Sequence, residues 1–468
     1  MTVTTSLKSL PSKKKIMEDD TIVALSTPPG RGAIGIIKLS GSEAEPIFKE
    51  LIEGIPGEIT ARKYYHGYLH SEGKRIAECL AVLFKTPRSF TGEDVVEISI
   101  YSNPFLIEEA LLTAVKMGAR MALPGEFTYR AFKNGKMDLI QAEAVNDLIL
   151  ANSRYFAHME FDNLEGRLSA VVQEIRRDLI DLGTDIETAI EFQEDQHIRD
   201  LTIGANLPAA ISRLESILGS SRFQELLNRG MNIVLAGKVN AGKSTLFNTL
   251  LMKERSIISS TPGTTRDYIQ EQLHIDGFPF QITDMAGIQS RAGDSIEHQG
   301  IERSISLIEK CDAVIFMLDA SRDIEPIDFE IYRLIGDKIK IMVLNKSDIA
   351  EPRQCEKAQG FFPGEIIHPL SAKNRNNLET VTSFLKGLLN DLREKNIEAV
   401  INFRQKSILE NLLERLKKIN RDLSGKSPDA AILAEEIRRS IHGIGELTGE
   451  IANADILQEI FQRFCIGK

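Results

Sequence analysis

The most explicit chemistry in this chain lies in Gly237-Lys-Val-Asn-Ala-Gly242-Lys243-Ser244, which follows an apolar run and precedes a helix-forming one. A phosphate chain needs backbone N–H groups converging on it, and glycines let the backbone approach closely. Lys243 supplies positive charge to the outer phosphates, and the Ser244 hydroxyl can ligate Mg²⁺. Three further segments follow in order. Asp284, Met285, Ala286 and Gly287 end a predicted strand, offering a carboxylate to the metal and a backbone N–H to the terminal phosphate. Asn345, Lys346, Ser347 and Asp348 end another. The Asp348 carboxylate can accept hydrogen bonds from the ring N–H and amino group of guanine, whereas adenine presents the wrong edge. Two charged hydrogen bonds imply a preference of about 10²–10⁴ for GTP. Ser371, Ala372 and Lys373 follow a last strand and would cap the base. Four motifs in this order point to a guanine-nucleotide domain.

Two details depart from a Ras-like switch. Ile288 follows Gly287, where a Gln would orient the attacking water, so hydrolysis needs another way to offset developing charge. Asn240, inside the phosphate loop, offers an amide oxygen to a monovalent cation such as K⁺, and Ser256 to Thr265 carry oxygens able to complete its shell. Asn240 as a simple loop-former explains the same residue, and the two readings stand side by side.

These motifs need a parallel sheet to hold them. From Met231 to about Leu389, short apolar runs (Ile233–Ala236, Phe278–Ile282, Ala313–Leu318, Ile339–Leu344) alternate with helical stretches, as in a doubly wound α/β unit. At about 150 residues per domain, 468 residues make roughly three. Residues 1–19 read as a flexible extension. A strand-rich α+β region covers 20–136, with runs at Ile22–Leu25, Ile34–Leu39, Leu80–Phe84 and Val95–Ile100. Helical periodicity (Leu139, Ala142, Val145, Ile149) marks 137–229 and returns over 392–468, so the α/β unit at 230–391 is expected to be inserted into one helical domain.

The composition, 42% hydrophobic and 26% charged, excludes global disorder. No apolar stretch approaches the roughly 18 residues of a membrane span, and the start lacks a signal peptide, so a soluble cytoplasmic protein is expected. Four dispersed cysteines indicate neither a zinc site nor a disulfide framework. Gly467 and Lys468 argue against prenylation at Cys465. With a net charge of -10, any nucleic-acid partner must meet a local basic surface.

The sequence resembles the MnmE (TrmE) family of tRNA modification GTPases from Asp20 to Lys468. The marks are Thr27-Pro-Pro-Gly-Arg31-Gly, Ser89-Phe-Thr-Gly-Glu-Asp94, Pro124-Gly-Glu-Phe127, Gly263-Thr-Thr-Arg-Asp267 and Phe464-Cys-Ile-Gly-Lys468. The resemblance implies an N-terminal folate-binding and dimerising domain, a central all-helical domain and an inserted, K⁺-activated Ras-like G domain. It also implies an FAD-dependent partner, MnmG, in a heterotetramer that modifies carbon 5 of the tRNA wobble uridine. The product carries an aminomethyl or carboxymethylaminomethyl group, its methylene drawn from a tetrahydrofolate derivative, 5-formyl or 5,10-methylene.

On this chain the resemblance assigns K⁺ to Asn240, Ser259, Thr261 and Thr264, and Mg²⁺ to Ser244 and Thr265. Nucleotide contacts are expected from Asn240, Ala241, Gly242, Lys243, Ser244 and Thr245, and from Ser259, Ser260, Thr261, Pro262, Gly263, Thr264 and Thr265, besides the three later motifs. Glu297 takes the general acid/base or water-orienting role. Folate falls to Lys38, Glu97, Lys136 and Lys468. Lys38 stands where an Arg is expected, and Tyr101-Ser-Asn-Pro104 where the family tends to show His-Gly-Gly-Pro. Cys465 reads either as a nucleophile or as a small buried residue at a helix end. Three alternatives remain: a GTP-gated scaffold without folate chemistry, a ribosome-assembly GTPase, which would carry an RNA-binding KH fold or two G domains, and an autonomous aminomethyltransferase needing no flavoprotein.

Overall fold

A computed structural model describes residues 20–151, 153–192, 207–219, 226, 230–254, 271–275, 277–285, 305–351, 353–393, 399–423 and 429–468. In chain order it contains β1 (Ile22–Leu25), β2 (Gly32–Ser40), α1 (Ala44–Leu51), β3 (Ile52–Glu53), β4 (Tyr64–Ser71), β5 (Lys74–Phe84), β6 (Val95–Ser102), α2 (Pro104–Lys116), β7 (Arg120–Met121) and α3 (Glu126–Lys133). Helices α4 (Leu139–Leu150), α5 (Arg154–Leu164), α6 (Arg167–Phe192) and α7 (Leu207–Gly219) follow. Then come β8 (Met231–Ala236), α8 (Lys243–Glu254), β9 (Glu271–Ile275), β10 (Phe278–Asp284), β11 (Ala313–Asp319), α9 (Pro326–Ile335), β12 (Lys340–Asn345), α10 (Gln354–Phe361), β13 (Ile367–Pro369) and α11 (Leu378–Arg393). The chain ends with α12 (Phe403–Leu423), α13 (Ala430–Thr448) and α14 (Ala454–Gln462).

The described residues fall into two compact units. One draws on 1–146, 163–202 and 422–468, the other on 147–162 and 203–421.

In the first unit a seven-stranded sheet runs β3-β4-β5-β6-β2-β1-β7, antiparallel except for the β1–β7 pair. Burial alternates along β4, with Tyr65, Leu69 and Ser71 inward, which is the period of a strand with one solvated face. Ile37, Leu39, Leu83, Val96 and Ile98 pack with Phe48 and Leu51 of α1 and Ala110 and Ala114 of α2. Helices α6 and α13 pack together in the same unit.

In the second unit a six-stranded sheet runs β13-β12-β11-β8-β10-β9, parallel except for edge strand β9. Every residue of β11 is buried, as expected for a central parallel strand covered on both faces. The observed architecture is the expected one: an α+β sheet domain, helices, and a Ras-like doubly wound domain. Strands β4 and helices α1 to α3 were not among the expected runs. Tyr64-Tyr-His-Gly-Tyr-Leu-His is too polar to stand out by apolarity, and only its aromatic alternation marks it. Among the described residues, no helix is long and apolar enough to cross a membrane.

Candidate functional site

The phosphate loop leaves β8 at Ala236 and enters α8 at Lys243. Gly242 sits at φ +95, and a Cβ there would collide with the side-chain amide of Asn345. Asn240 is exposed and also left-handed, at φ +66, a conformation Asn tolerates better than most residues. The Lys243 ammonium donates to the carbonyls of Gly237 (2.7 Å) and Lys238 (2.9 Å), and burial pushes its pKa down. The Ser244 hydroxyl donates to Asp284 Oδ2 at 2.9 Å. Parallel pairing of β8 with β10 brings these two strand ends together. Met285 is buried, and its N–H donates to the carbonyl of Leu235 at 3.3 Å.

Asn345 is the bracket of the base side. Its buried amide donates to the Ala241 carbonyl at 2.8 Å, and its Oδ1 accepts the Ala372 N–H at 2.9 Å. Three separate motifs therefore share one side chain. The Ser371 hydroxyl donates to Asp348 Oδ1 at 2.6 Å, and Ser347 N–H donates to the Leu370 carbonyl at 3.1 Å. Thr245 and Lys373 are exposed. The structure thus gathers Asn240 to Ser244, Asp284, Asn345, Asp348, Ser371 and Ala372 at the carboxyl ends of parallel strands, the usual ligand edge of an open α/β sheet. Ser259 to Thr265, Ala286, Gly287 and Glu297 lie outside the described residues.

Sequence reading missed two supports. Thr249, buried on α8, bonds to the Ala372 carbonyl at 3.0 Å across 123 positions of sequence. Asp319, at the end of β11, accepts from Lys346 Nζ at 2.6 Å. The only sequence signal for the latter is a carboxylate closing an apolar run.

A second cluster forms in the sheet of the other unit. Lys38 on β2 lies opposite Glu97 on β6, with Nζ 3.5 Å from Oε1. The buried ammonium sits 5.4 Å from the centre of the Phe90 ring and 5.7 Å from that of Phe127. Burial pushes the Lys38 pKa down, Glu97 opposes this, and Lys468 adds to it. Lys468 reaches this place because the last residues are anchored. Ser26 Oγ donates to the Gly467 carbonyl at 2.8 Å, and Gly125 N–H donates to the Cys465 carbonyl at 3.3 Å. Gly467 is at φ +90, where a Cβ would strike the Leu25 carbonyl. Lys136 is exposed and donates to the Pro87 carbonyl at 2.9 Å, so it attaches to the loop before β6.

That loop is held by charge. Arg130 donates to Glu93, Asp20 and Glu126, while Arg120 donates to Asp20 and Glu126. Ser40 and Thr91 share a 2.7 Å hydrogen bond, and Ser40 also donates to Glu93. At the Tyr101–Pro104 departure, Tyr101 is exposed, Ser102 Oγ donates to the Gly30 carbonyl at 2.9 Å, and Asn103 accepts from Phe105 N–H as the N-cap of α2. Cys465 is exposed, which corrects its reading as a small buried residue; the terminal Phe464 is the buried one.

A phosphate loop, a strand-end carboxylate against its serine, and an Asn–Asp base edge on a parallel sheet define a P-loop GTPase. The profile described as "GTP-binding protein TrmE N-terminus" matches residues 21–136, and that described as "MnmE helical domain" matches 139–465. A tRNA modification GTPase MnmE from Thermotoga petrophila is 38% identical over 453 residues, covering 96% of this chain and 100% of that one. Its counterpart from Aquifex aeolicus is 36% identical over 455 residues, covering 96% and 100%. The chain belongs to the MnmE family of tRNA modification GTPases.

Proposed function

We propose that this GTPase is activated by K⁺ and, with an FAD-dependent MnmG partner, modifies carbon 5 of the wobble uridine in tRNA using a tetrahydrofolate one-carbon donor. It acts in the cytoplasm as a homodimer, with a folate domain over 20–136, a helical domain over 137–229 and 392–468, and a G domain over 230–391. The observation that carries the nucleotide half is the meeting of Ser244, Asp284, Asn345 and Asp348, distant in sequence, at one sheet edge.

In this reading Lys243 holds the outer phosphates and Asp348 reads guanine. The Ser244 hydroxyl and the Asp284 carboxylate form an oxygen pair suited to a hard cation such as Mg²⁺, which when bound screens phosphate charge. Asn240, exposed on a left-handed turn, offers its amide oxygen to K⁺, with Ser259, Thr261 and Thr264 as companions and Thr265 joining Ser244. K⁺ supplies the positive charge that an arginine finger gives elsewhere. Glu297 orients water.

The one-carbon half rests on Lys38, Glu97 and Lys468. A pterin edge needs donors and an acceptor, its ring needs aromatic walls, and its glutamate tail needs positive charge. Glu97, the partly exposed Phe90 and the two lysines provide that set, with Phe127 backing Lys38 from the core. Lys136 extends the charge toward solvent. The donor set fits a reduced folate, which when bound supplies the methylene carbon.

The test is twofold. GTP turnover by the full chain is expected to be at least tenfold faster in K⁺ than in Na⁺; equal rates would remove the cation from the scheme. Wobble-nucleoside mass spectrometry of cells lacking the protein should show unmodified uridine. An intact modification would leave the GTPase as a scaffold.

A further inference from the structure

We propose that Asp319 is a positioning residue for nucleotide binding, holding Lys346 and through it the turn that presents Asp348. This rests on the nucleotide reading of the site. Asp319 ends β11 with 3% of its surface exposed and stands in register opposite Asn345 of β12. Its two oxygens divide their work. Oδ2 accepts from Lys346 Nζ at 2.6 Å, while Oδ1 accepts from Ser321 N–H at 2.9 Å and Ser321 Oγ at 2.6 Å. The adjoining Ala320 N–H donates to the Asn345 carbonyl at 2.8 Å, so the two strand ends are also joined through backbone.

Lys346 has φ +67, a left-handed conformation that a long side chain adopts only when its surroundings impose it. The ion pair holds the side chain of this turn, while Ser347 N–H and Ile349 N–H, donating to the carbonyls of Leu370 and Lys346, hold its backbone. From Lys346 the chain needs two residues to reach Asp348, whose Oδ1 is fixed by Ser371. A buried carboxylate is costly to hold ionised unless paired and hydrogen-bonded, and an apolar pair of similar volume often serves stability as well. An ion pair that reaches from a buried strand-end carboxylate to a half-buried lysine in the base-recognition turn therefore points to binding geometry rather than to stability. Burial alone would raise the Asp319 pKa; the bonds from Lys346 and Ser321 outweigh it and hold the carboxyl below its ordinary value, so the pair is charged at neutral pH.

The test is GDP affinity of the full chain by titration calorimetry, with a double-mutant cycle. Asp319→Asn is expected to weaken GDP binding about tenfold, the scale of one charged hydrogen bond. Its kcat at saturating GTP should stay near the parent value, since Asp319 touches no reacting atom. Lys346→Met should weaken binding similarly, and the double variant should be no weaker than Lys346→Met alone. Ser321→Ala, which removes only one clamp, should cost about two- to threefold and nothing in the Lys346→Met background; it carries the test if Asp319→Asn fails to fold. Parent-like GDP affinity in both Asp319→Asn and Ser321→Ala, or losses that multiply with that of Lys346→Met, would overturn the inference. A parent chain that does not bind GDP would instead sink the nucleotide reading itself.

Discussion

Asp348 and Lys38 show how differently single residues disclose themselves. Asp348 sits in a contiguous Asn-Lys-Ser-Asp run after an apolar strand, so the role proposed for it is already suggested by the sequence. In the structure one of its oxygens is held by Ser371, which fixes the carboxylate plane. Asp348→Asn replaces an acceptor with a donor on one side. GDP affinity should fall about a hundredfold, the worth of charged hydrogen bonds lost to guanine, while XDP, with a carbonyl where guanine has its amino group, should gain. Competition calorimetry reads both, and an unchanged GDP preference refutes the base-recognition role. Lys38 by residue type alone is indistinguishable from a surface lysine and is singled out in sequence only by the family resemblance; the structure buries it beside the Phe90 and Phe127 rings. Its pKa lies below the ordinary 10.5, chiefly through burial, so the unfolded chain binds more protons in the window just below that value. Stability therefore rises with pH there, and at pH 7 the full cost of burying the ammonium is present. Lys38→Met is expected to raise the urea midpoint at pH 7, by a margin that shrinks as pH rises toward 10.5, and to abolish 5-formyltetrahydrofolate binding. A margin independent of pH would show that packing, not charge, is responsible.

At the scale of elements, apolar runs and phosphate-loop glycines were readable, whereas the pairings that brace them were not. The Thr249–Ala372 bond and the Arg130 bonds to Asp20 and Glu93 span long sequence separations and have no local signature. The Tyr101–Pro104 departure is different. Asn103 before Pro104 is a helix-start signal, and the structure uses it as an N-cap. The Arg130 network joins Asp20 ahead of β1, β7, α3 and the Ser89–Asp94 loop, with Arg130 and Glu126 both buried. Burial alone would raise the Asp20 carboxyl, but Arg120 and Arg130 outweigh it and hold it below its ordinary value. Arg130→Met leaves Asp20 and Glu126 to Arg120 alone and takes from half-buried Glu93 its ion-pair partner, and should cost about 1.5–3 kcal/mol, the scale of charged hydrogen bonds, in denaturant unfolding of this unit. A loss below about 1 kcal/mol, the range of exposed pairs, would mean that the network is solvated rather than buried.

For the whole molecule, the telling feature is that the last residues are seated against the first strands. The Ser26–Gly467 hydrogen bond joins positions 441 apart. Phe461 and Phe464 pack on Leu139 and Ala142, so the chain end is seated by its own apolar contacts and Lys468 is delivered beside Lys38. Fixing a terminus costs conformational entropy of about 1–2 kcal/mol per residue, and chain ends without such ties are usually poorly ordered. Deleting Cys465–Lys468 keeps the Phe464 anchor while removing the Lys468 charge and the carbonyls that Gly125 and Ser26 contact. The shortened chain should bind 5-formyltetrahydrofolate at least tenfold more weakly, the scale of one charge-assisted contact. GDP affinity, measured on the same preparation, serves as the folding control and should match the parent. Unaltered folate affinity would show that the tail seals the sheet without touching its ligand, and Lys468 would leave the proposed site.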